Sequence, residues 1–404
     1  MEGGRHMVIA ILGAGASGMA AALAAAEQPG CQVHLLERQS RVGRKLLSTG
    51  NGRCNLTNRN LSLSSYFGEN PQFAAPSLQE FGLQDTLAFF SGLGLMTVTE
   101  PSGRVYPRSD QAGSVVDVLR FALNRPNITL HLGWEATRVK RTDHGFVVCG
   151  PENLPCDKVI VAMGGLAGTA LGGSMAGYRL LRELGHHCTK LRPSLVQVKS
   201  GYPRCPALKG VRAVCGICIT CDGEPVRREL GEVQFTQYGL SGPAIFAVSR
   251  DVCQGTGEWV CHLNLLPEEQ DPLRLLRMRL RPNLPAGELL TGAVHNRLGK
   301  VAVQEAGIDL QQPSTDLADG QLRRLARIVG DFPFRLTGTM GMDSAQVTAG
   351  GICTGEFDPQ TLESRLCPGL YACGEVLDID GACGGYNLQW AWSSGRMAGR
   401  NAGR

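Results

Sequence analysis

The start of the chain alternates between short apolar runs and a glycine-rich turn. Residues 8–12 are apolar at every position, which is typical of a strand covered on both faces in a parallel sheet. The turn is followed by an alanine-rich stretch over about 16–26 that favours a helix. A second apolar run, 32–36, then ends at Glu37. This order predicts a strand–helix–strand unit.

The hydrophobic pattern changes twice further along the chain. Period-two alternation over 194–199, 211–221 and 226–235 predicts an antiparallel sheet or a small barrel. Over 267–329, leucine and arginine recur every three to four residues between prolines, which predicts short helices. Glycine-rich turns and apolar strands return after residue 336. We therefore predict an α/β domain built from both chain ends and interrupted by an insert over about 190–340.

Further elements of the α/β domain are predicted between these regions. A Pro-Ser-Gly turn at 101–103 indicates a hairpin over 96–106, and Asp110 is placed to cap a helix over 111–123. The remaining predicted elements are strands within 128–149, a strand over 158–163, a helix over 175–184, a strand over 369–373 and a final helix over 388–402.

Composition excludes several classes of protein. The 404 residues include 40 Lys and Arg against 36 Asp and Glu, and a net charge of +4 gives no field that would draw the chain onto nucleic acid. The 53 glycines show no Gly-X-Y period, which excludes a collagen, so they serve turns and close backbone contacts. Fifteen cysteines, an odd number, favour reduced thiols over a disulfide framework.

One stretch raises the alternative of export. Residues 7–26 carry no charge, follow Arg5 and end in three alanines, as a secretory signal peptide does. The glycines at 13, 15 and 18 argue against it, because they weaken an apolar helix. No other stretch approaches the roughly 20 apolar residues of a membrane span. We expect a cytoplasmic protein without a membrane or nucleic-acid partner; residues 1–6 take no part in these predictions.

The turn after the first predicted strand has the pattern G-x-G-x-x-G at Gly13, Gly15 and Gly18. Between a strand and a helix, such glycines permit a tight turn and close approach to a pyrophosphate, which the helix N-terminus attracts. Glu37 stands 19 residues after Gly18, where a carboxylate accepts hydrogen bonds from ribose hydroxyls. The alternative is an ordinary glycine-rich turn, but this context favours a dinucleotide site.

Two more segments have the composition of a cofactor site. Residues 41–58, RVGRKLLSTGNGRCNLTN, combine cations that offset pyrophosphate charge with small polar groups that bond ribityl hydroxyls or a flavin edge. A solvated basic loop is the alternative there. Near the C-terminus, 374–378 follow a strand and 384–387 open the last helix, so a second helix N-terminus would aim N–H groups at the same cofactor.

Together these motifs resemble a known family, the bacterial FAD-dependent NAD(P)H oxidoreductases labelled aminoacetone-oxidase-like, which include bile-acid enone reductases. The resemblance is carried by GAGASG with Glu37, GNGRCNLTN, GRVYPRSDQA, VAMGG, TGTMG, AGGI and GEVLDIDGACGGYNLQWAWSSGRMAG, and it spans nearly the whole chain. It implies a Rossmann-like FAD-binding domain over 1–190 and 340–404, an inserted β-barrel over 191–266 and 331–339, and a small helical subdomain over 267–330.

The resemblance also implies FAD contacts within these motifs. It assigns them to Gly13, Gly15, Gly18, Glu37, Lys45, Arg53, Gly374, Asp378, Gly385 and Asn387. The full set of expected FAD-binding residues adds Ala16, Ser17, Arg38, Asn51, Cys54, Ala136, Gly164, Glu375, Gly384, Tyr386 and Leu388. No residue is assigned as catalytic, and no metal site is expected.

The expected function is that of an FAD-dependent oxidoreductase. A hydride would pass from NAD(P)H through the flavin to an unsaturated or carbonyl small-molecule substrate. Because the sequence has no second strand–turn–helix with G-x-G-x-x-G, NAD(P)H is expected as a transient co-substrate. Two alternatives stay open: a flavin amine oxidase that uses O2, and a non-catalytic FAD-binding protein.

Three other signals favour a structural role over chemistry. In the C-x2-C-x2-C run at 215–221, Cys218 faces away from the other two thiols of a predicted strand, so the three do not converge. His186 and His187 follow a predicted helix and are placed to cap its carbonyls. Cys383 precedes the last helix, whose dipole and nearby cations should lower the thiol pKa, although a small side chain that fits the turn is the favoured interpretation.

Overall fold

The protein folds into two compact units in the computed structural model, which describes residues 6–404. One unit contains the described residues up to Pro193 together with Gln346–Arg404, and the other is Ser194–Ala345. The predicted FAD domain also includes residues 1–5, which lie outside the described residues. The boundaries predicted for a separate helical subdomain over 267–330 stay a prediction.

Helices and strands occur in both units. The helices are α1 (Ala16–Ala26), α2 (Ala75–Glu80), α3 (Leu83–Gly92), α4 (Ala112–Ala122), α5 (Ala176–Glu183), α6 (Cys205–Leu208), α7 (Pro243–Gln254), α8 (Pro272–Met278), α9 (Asn296–Glu305), α10 (Asp319–Gly330) and α11 (Tyr386–Ala402). The strands are β1 (Met7–Leu12), β2 (Cys31–Glu37), β3 (Thr57–Asn58), β4 (Tyr66–Phe67), β5 (Thr97–Thr99), β6 (Arg104–Pro107), β7 (Ile128–Leu132), β8 (Arg138–Thr142), β9 (Gly145–Cys149), β10 (Asn153–Cys156), β11 (Lys158–Val161), β12 (Arg192–Ser194), β13 (Val198–Ser200), β14 (Arg212–Cys221), β15 (Glu224–Thr236), β16 (Gly239–Ser241), β17 (Trp259–Asn264), β18 (Phe332–Thr339), β19 (Val347–Ala349), β20 (Leu370–Ala372) and β21 (Asp380–Gly381).

A five-stranded parallel sheet forms the core of the first unit. Its order is β20-β11-β1-β2-β7, and every neighbouring pair is parallel. The central strand β1 is buried from Ile9 to Leu12, as its uninterrupted apolar pattern predicts. The predicted strand–helix–strand unit is confirmed as β1, α1 and β2. Beside β1 the chain order reverses, and ligands bind outside the carboxyl ends of strands at such a point.

The last helix packs on the first one through two glycines. A Cβ atom on Gly399 would lie 2.1 Å from the carbonyl oxygen of Ala21, and one on Gly395 would lie 2.3 Å from that of Ser17. Only residues without a side chain permit this approach. Because α11 lies against α1, both chain ends belong to the same core.

The second unit is built around a closed barrel of six strands in the order β13-β16-β15-β14-β17-β18. Its neighbouring strands pair in antiparallel fashion, as the period-two pattern predicts. Ile217 and Ile219 of β14 and Phe334 of β18 are buried in its core. The predicted fold class is therefore confirmed: a Rossmann-like domain from both chain ends with an inserted β-barrel and helical elements.

Two predicted helix caps are wrong. The residue before α4 is Gln111, and the carboxylate of Asp110 pairs with Arg53 instead. His186 and His187 do not cap α5, because both rings bind the carboxylate of Glu356, with nitrogen–oxygen distances of 2.9 and 2.6 Å. Each side chain is thus bound by a partner distant in sequence, which the local pattern does not show.

Three observations bear on the cysteines and on membranes. All fifteen cysteines are free thiols, and Cys215 is buried while Cys218 and Cys221 are partly exposed. Within residues 6–404, no group of His, Cys, Asp and Glu side chains is arranged to hold a metal ion. Over the same residues, no helix combines the length and the apolar character needed to cross a lipid bilayer.

We expect Gly399→Ala to destabilise the first unit. Its Cβ atom would overlap the carbonyl of Ala21, and forcing packed helices apart costs about 1–3 kcal/mol of the free energy of unfolding. Gly113→Ala in α4 is the matched control, since a Cβ atom there meets no atom within 4 Å. Urea unfolding followed by circular dichroism should give a lower midpoint for Gly399→Ala only. An equal loss in both variants would contradict the packing argument.

Candidate cofactor site

The residues expected at the cofactor gather at one edge of the parallel sheet. Gly13 follows β1, Glu37 ends β2, Gly164 follows β11, Gly374 follows β20, and Ala136 lies shortly after β7. Because the five strands are parallel, their carboxyl ends share this edge. Open α/β sheets bind ligands there.

The turn from β1 to α1 has a conformation that requires glycine. Gly13 has a φ of +102°, and a Cβ atom on it would lie 2.6 Å from the carbonyl oxygen of Ala162. A Cβ atom on Gly18 would lie 1.8 Å from the carbonyl oxygen of Gly13. By contrast, a Cβ atom on Gly15 would meet no atom within 4 Å, so the space at the start of α1 is open.

The start of α1 presents backbone donors to that open space. Within the described part of the chain, the N–H groups of Gly15, Ala16 and Ser17 have no hydrogen-bond acceptor. The dipole of this 11-residue helix adds partial positive charge at the same point. Free donors and a helix dipole together make a binding site for an anion such as a pyrophosphate.

Glu37 is fixed against this turn by two backbone donors. Its carboxylate oxygens accept hydrogen bonds from the N–H of Ala14 at 2.9 Å and from the N–H of Gln39 at 2.8 Å. Each oxygen keeps a lone pair for a further donor, such as a ribose hydroxyl. The next residue, Arg38, has a structural contact instead. Its guanidinium donates to the carbonyl oxygen of Gly172 at 2.7 Å and so holds the loop after β11.

Lys45 and Glu375 form an ion pair between the two halves of the first unit. The Lys45 Nζ lies 2.8 Å from one carboxylate oxygen of Glu375, and the other oxygen accepts from the N–H of Thr348 at 2.8 Å. The cation expected to offset a pyrophosphate is thus already paired with a carboxylate. A phosphate at this point would share Lys45 with Glu375.

Gly374 joins the end of β20 to both long helices. Its φ is +76°, and a Cβ atom on it would lie 2.5 Å from the hydroxyl oxygen of Ser17 in α1. Its N–H donates to the hydroxyl of Ser394 at 2.9 Å, and its carbonyl accepts from the indole N–H of Trp390 at 3.1 Å, both in α11. A single strand end therefore lies beside the start of α1 and is bonded to the first half of α11.

The turn before α11 also depends on glycine. Gly384 and Gly385 have φ values of +131° and +102°, and a Cβ atom on Gly385 would lie 2.5 Å from the carbonyl oxygen of Thr57. Asn58 donates to the carbonyl oxygen of Gly384 at 2.8 Å. Gly385 thus ends the turn, and α11 begins at Tyr386, two residues before the predicted start.

The first turn of α11 has free backbone donors, as α1 does. Its three N–H groups, those of Tyr386, Asn387 and Leu388, have no acceptor among the residues that the structure describes. The amide side chain of Asn387 is occupied, because it both accepts from and donates to the backbone of Gly381 at 2.7 Å. A ligand contact expected from Asn387 would therefore come from its N–H.

Asn55 is a buried polar residue with an unpaired acceptor. It belongs to the motif GNGRCNLTN but is not among the expected FAD-binding residues. It is only 8% exposed, and its Oδ1 has no hydrogen-bond partner in the described chain. A Cβ atom on Gly385 would lie 2.8 Å from this oxygen, so the oxygen lies beside the start of α11. An unpaired buried acceptor costs about 1–3 kcal/mol, which a ligand N–H would offset.

The side chains just before Asn55 hold the loop itself. The guanidinium of Arg53 binds the carboxylates of Glu100, at 2.9 Å, and Asp110, and it lies over the ring of Tyr106 at 4.0 Å. Cys54 is fully buried, and burial raises the pKa of its thiol to about 12. The main role of both side chains is therefore to stabilise the loop.

Three other residues expected to contact FAD have few side-chain polar groups available for a ligand. Asn51 is exposed and has a left-handed φ of +58°, so it shapes the turn. Asp378 is buried and accepts from the N–H of Glu69 at 3.1 Å. Ala136 is 4% exposed and has only backbone polar atoms. Any contact of Ala136 with a ligand would be a backbone contact.

The expected lowering of the Cys383 pKa is wrong. Burial raises the pKa of this thiol, and the opposing effect of nearby Arg104 is smaller. Removal from water disfavours the thiolate more than the cation favours it. Cys383 therefore fits the interpretation of a small side chain in the turn rather than that of an activated nucleophile.

Comparison with known proteins bears on the whole chain. The model of the family described as HI0933-like protein Rossmann domain matches residues 7–401. A 3-dehydro-bile acid delta(4,6)-reductase of Clostridium scindens is 40% identical over 403 residues, which cover 98% of each chain. A ribosomal RNA dihydrouridine synthase of Escherichia coli is 33% identical over 393 residues, 95% of each chain.

Among solved structures, the apo form of the Sdh1 complex of Mycobacterium smegmatis is similar in fold. The match has a TM-score of 0.50 and 16% sequence identity, and it covers 99% of this chain and 68% of that chain. At this identity the likeness concerns the fold alone.

We expect Cys383 to react slowly with iodoacetamide at neutral pH. Because its pKa is raised, the reactive thiolate stays scarce until the pH exceeds the usual range of a cysteine, so the rate should still be rising above pH ~9. Mass spectrometry of the labelled peptides measures this rate, with the partly exposed Cys218 as the internal reference. Labelling of Cys383 that is faster than that of Cys218 and levels off below pH ~8 would indicate an activated thiolate instead.

Proposed function

The chain belongs to the HI0933-like family of FAD-dependent Rossmann proteins, and we propose that it works as a reductase of a carbon–carbon double bond conjugated to a carbonyl group. The reducing equivalents would come from NAD(P)H as a transient co-substrate. The observation that carries the proposal is the pair of open helix starts on α1 and α11, two helices that pack together at Gly395 and Gly399. Two such starts suit the two ends of one dinucleotide.

The residues at this edge of the sheet fit FAD. The start of α1 would hold the pyrophosphate, and Glu37 would accept from the adenosine ribose. The start of α11 and the unpaired Oδ1 of Asn55 would bind the polar edge of the isoalloxazine ring, which offers both carbonyl acceptors and an N–H donor. When bound, FAD supplies the hydride chemistry, while these residues orient it.

The substrate class is inferred from what the relatives' names share. A delta(4,6)-reductase acting on a 3-dehydro-bile acid and a dihydrouridine synthase both saturate a carbon–carbon double bond conjugated to a carbonyl. In such a substrate, negative charge develops on the carbonyl oxygen as the double bond is reduced, and hydrogen-bond donors stabilise it. The common chemistry therefore supports an unsaturated carbonyl compound as the substrate of this chain.

Charge pairing favours a small molecule over RNA. In the second unit, Arg277 and Arg323 both pair with Asp319, and Arg279 and Arg324 donate to backbone carbonyl oxygens. A phosphate contact with these cations would have to replace bonds within the protein, which offsets part of the phosphate contribution on which RNA affinity depends. The net charge of the whole chain is only +4. RNA is therefore the second candidate, to be distinguished by assay.

We propose a transient NAD(P)H because the barrel differs from a dedicated nicotinamide-binding domain. A dedicated nicotinamide domain would add a second parallel sheet with its own glycine-rich turn. The sequence contains no such turn, and the described barrel strands of the second unit pair in antiparallel fashion. NAD(P)H would thus bind only during its half-reaction.

We expect the purified protein to release FAD, not FMN, on denaturation, and Glu37→Ala to weaken FAD binding. Loss of the charge-assisted ribose hydrogen bonds should cost about 1–3 kcal/mol, measured by fluorescence titration of the apoprotein. Glu152→Ala, an exposed carboxylate between β9 and β10, is the matched control and should bind FAD as the parent does. An unchanged dissociation constant for Glu37→Ala would exclude Glu37 from the ribose site.

Anaerobic mixing should separate the reductase from the amine oxidase. We expect NADH or NADPH to bleach the flavin absorbance near 450 nm, and an α,β-unsaturated ketone to restore it without O2. Bleaching by amines with rapid recovery in air would identify the oxidase instead. Recovery by unmodified ribosomal RNA alone would favour the RNA candidate, and a flavin that no reductant bleaches would indicate a non-catalytic protein.

A further inference from the structure

Arg104 is an arginine without a partner at the start of α11. It begins β6 and is half-buried. Among residues 6–404, its guanidinium makes no hydrogen bond, ion pair or ring contact with another side chain or carbonyl. Its Nε would lie 3.5 Å from a Cβ atom on Gly384, so the guanidinium lies beside the turn that opens α11.

The neighbouring carboxylates are already used. Glu100, directly after β5, and Asp110, three residues after β6, both bind Arg53. Arg53 also stacks on Tyr106, two residues from Arg104. A half-buried cation loses hydration and gains nothing when no anion is near it. A fold that keeps Arg104 in this place without a carboxylate therefore points to an anion from outside the chain.

The charge of Arg104 and the dipole of α11 act at the same point. Arg104 lowers the pKa of Cys383, although burial has the larger and opposite effect, so its field reaches the turn before the helix. One residue after that turn, the helix offers the free N–H groups of Tyr386, Asn387 and Leu388. A whole positive charge and three donors together favour a ligand with a full negative charge over a neutral one.

We propose that Arg104 binds the negative charge that reduction places on the pyrimidine edge of the flavin, and so sets the reduction potential of the bound cofactor. This inference rests on the proposed function. When bound, the neutral ring would take two electrons and one proton as a hydride from NAD(P)H, NAD(P)⁺ would leave, and one negative charge would stay on the pyrimidine edge. Arg104 would gain its partner in that state only.

The inference is tested with FAD-loaded protein and sulfite, which needs neither substrate nor nicotinamide. Sulfite adds to N5 of the oxidised ring and leaves the same negative charge on the pyrimidine edge. For Arg104→Met, we expect sulfite to bind at least about tenfold more weakly and the two-electron midpoint potential to fall by at least about 30 mV, the equivalent of tenfold. Arg104→Lys keeps the charge and should restore most of both values.

Arg59→Met is the matched control. Arg59 adjoins β3 of the same small sheet, but it is exposed and its guanidinium donates to the hydroxyl of Thr99. We expect its sulfite affinity and potential to equal those of the parent. Circular dichroism and FAD titration of each variant establish that fold and cofactor are retained, and Arg104→Gln in excess FAD replaces Arg104→Met if that variant loses FAD.

The outcomes are distinct. A parent protein that takes up no FAD would overturn the proposed function together with this inference. Variants of Arg104 that bind FAD with unchanged sulfite affinity and potential would overturn the inference alone. A change in only the KM of the unsaturated substrate would also overturn the inference alone, since Arg104 would then bind substrate rather than flavin. An equal shift of sulfite affinity and potential in Arg59→Met would show that any positive charge on this sheet has the same effect. That result would also overturn the inference.

Discussion

The close contact of α1 with α11 is the constraint on which the cofactor site depends. Gly395 and Gly399 bring the last helix onto the backbone of the first, so that residues 378 positions apart share one core. Gly374, at the end of β20, lies beside Ser17 at the start of α1 and is hydrogen-bonded to Trp390 and Ser394 within α11. The C-terminal segment is thus part of the Rossmann domain, and a glycine-rich composition is the direct consequence of backbone-to-backbone packing.

The site consists largely of polar groups whose partners are incomplete within the chain. The donors at both helix starts, the Oδ1 of Asn55 and the guanidinium of Arg104 all lack partners in the described residues, whereas Arg53, Lys45 and Glu37 are bound by protein groups. An unpaired polar group lowers the free energy of unfolding where it is buried, as the Oδ1 of Asn55 is. We infer that binding of FAD offsets this cost, so the cofactor should contribute to stability as well as to chemistry.

Much of the fold was predictable because its signals are local. The apolar run of β1, the glycine turn and the alanine-rich α1 each follow from neighbouring residues, and the match over residues 7–401 confirms the FAD-dependent family inferred from the motifs. The errors concern groups with distant partners. Asp110 binds Arg53 rather than α4, and His186 binds Glu356 rather than α5. The pKa of Cys383 is raised by partial burial, which no local pattern shows. Asn55 and Arg104 stand out only once the partners of all their neighbours are known.

Competition between FAD and ADP tests whether one dinucleotide joins the starts of α1 and α11. Isothermal titration of the apoprotein would give the dissociation constant of FAD with and without saturating ADP, which carries the pyrophosphate and ribose but no flavin. We expect ADP to bind and to compete with FAD, because both need the start of α1 and Glu37. FAD binding that is unaffected by ADP, or equally tight binding of FMN, would contradict it.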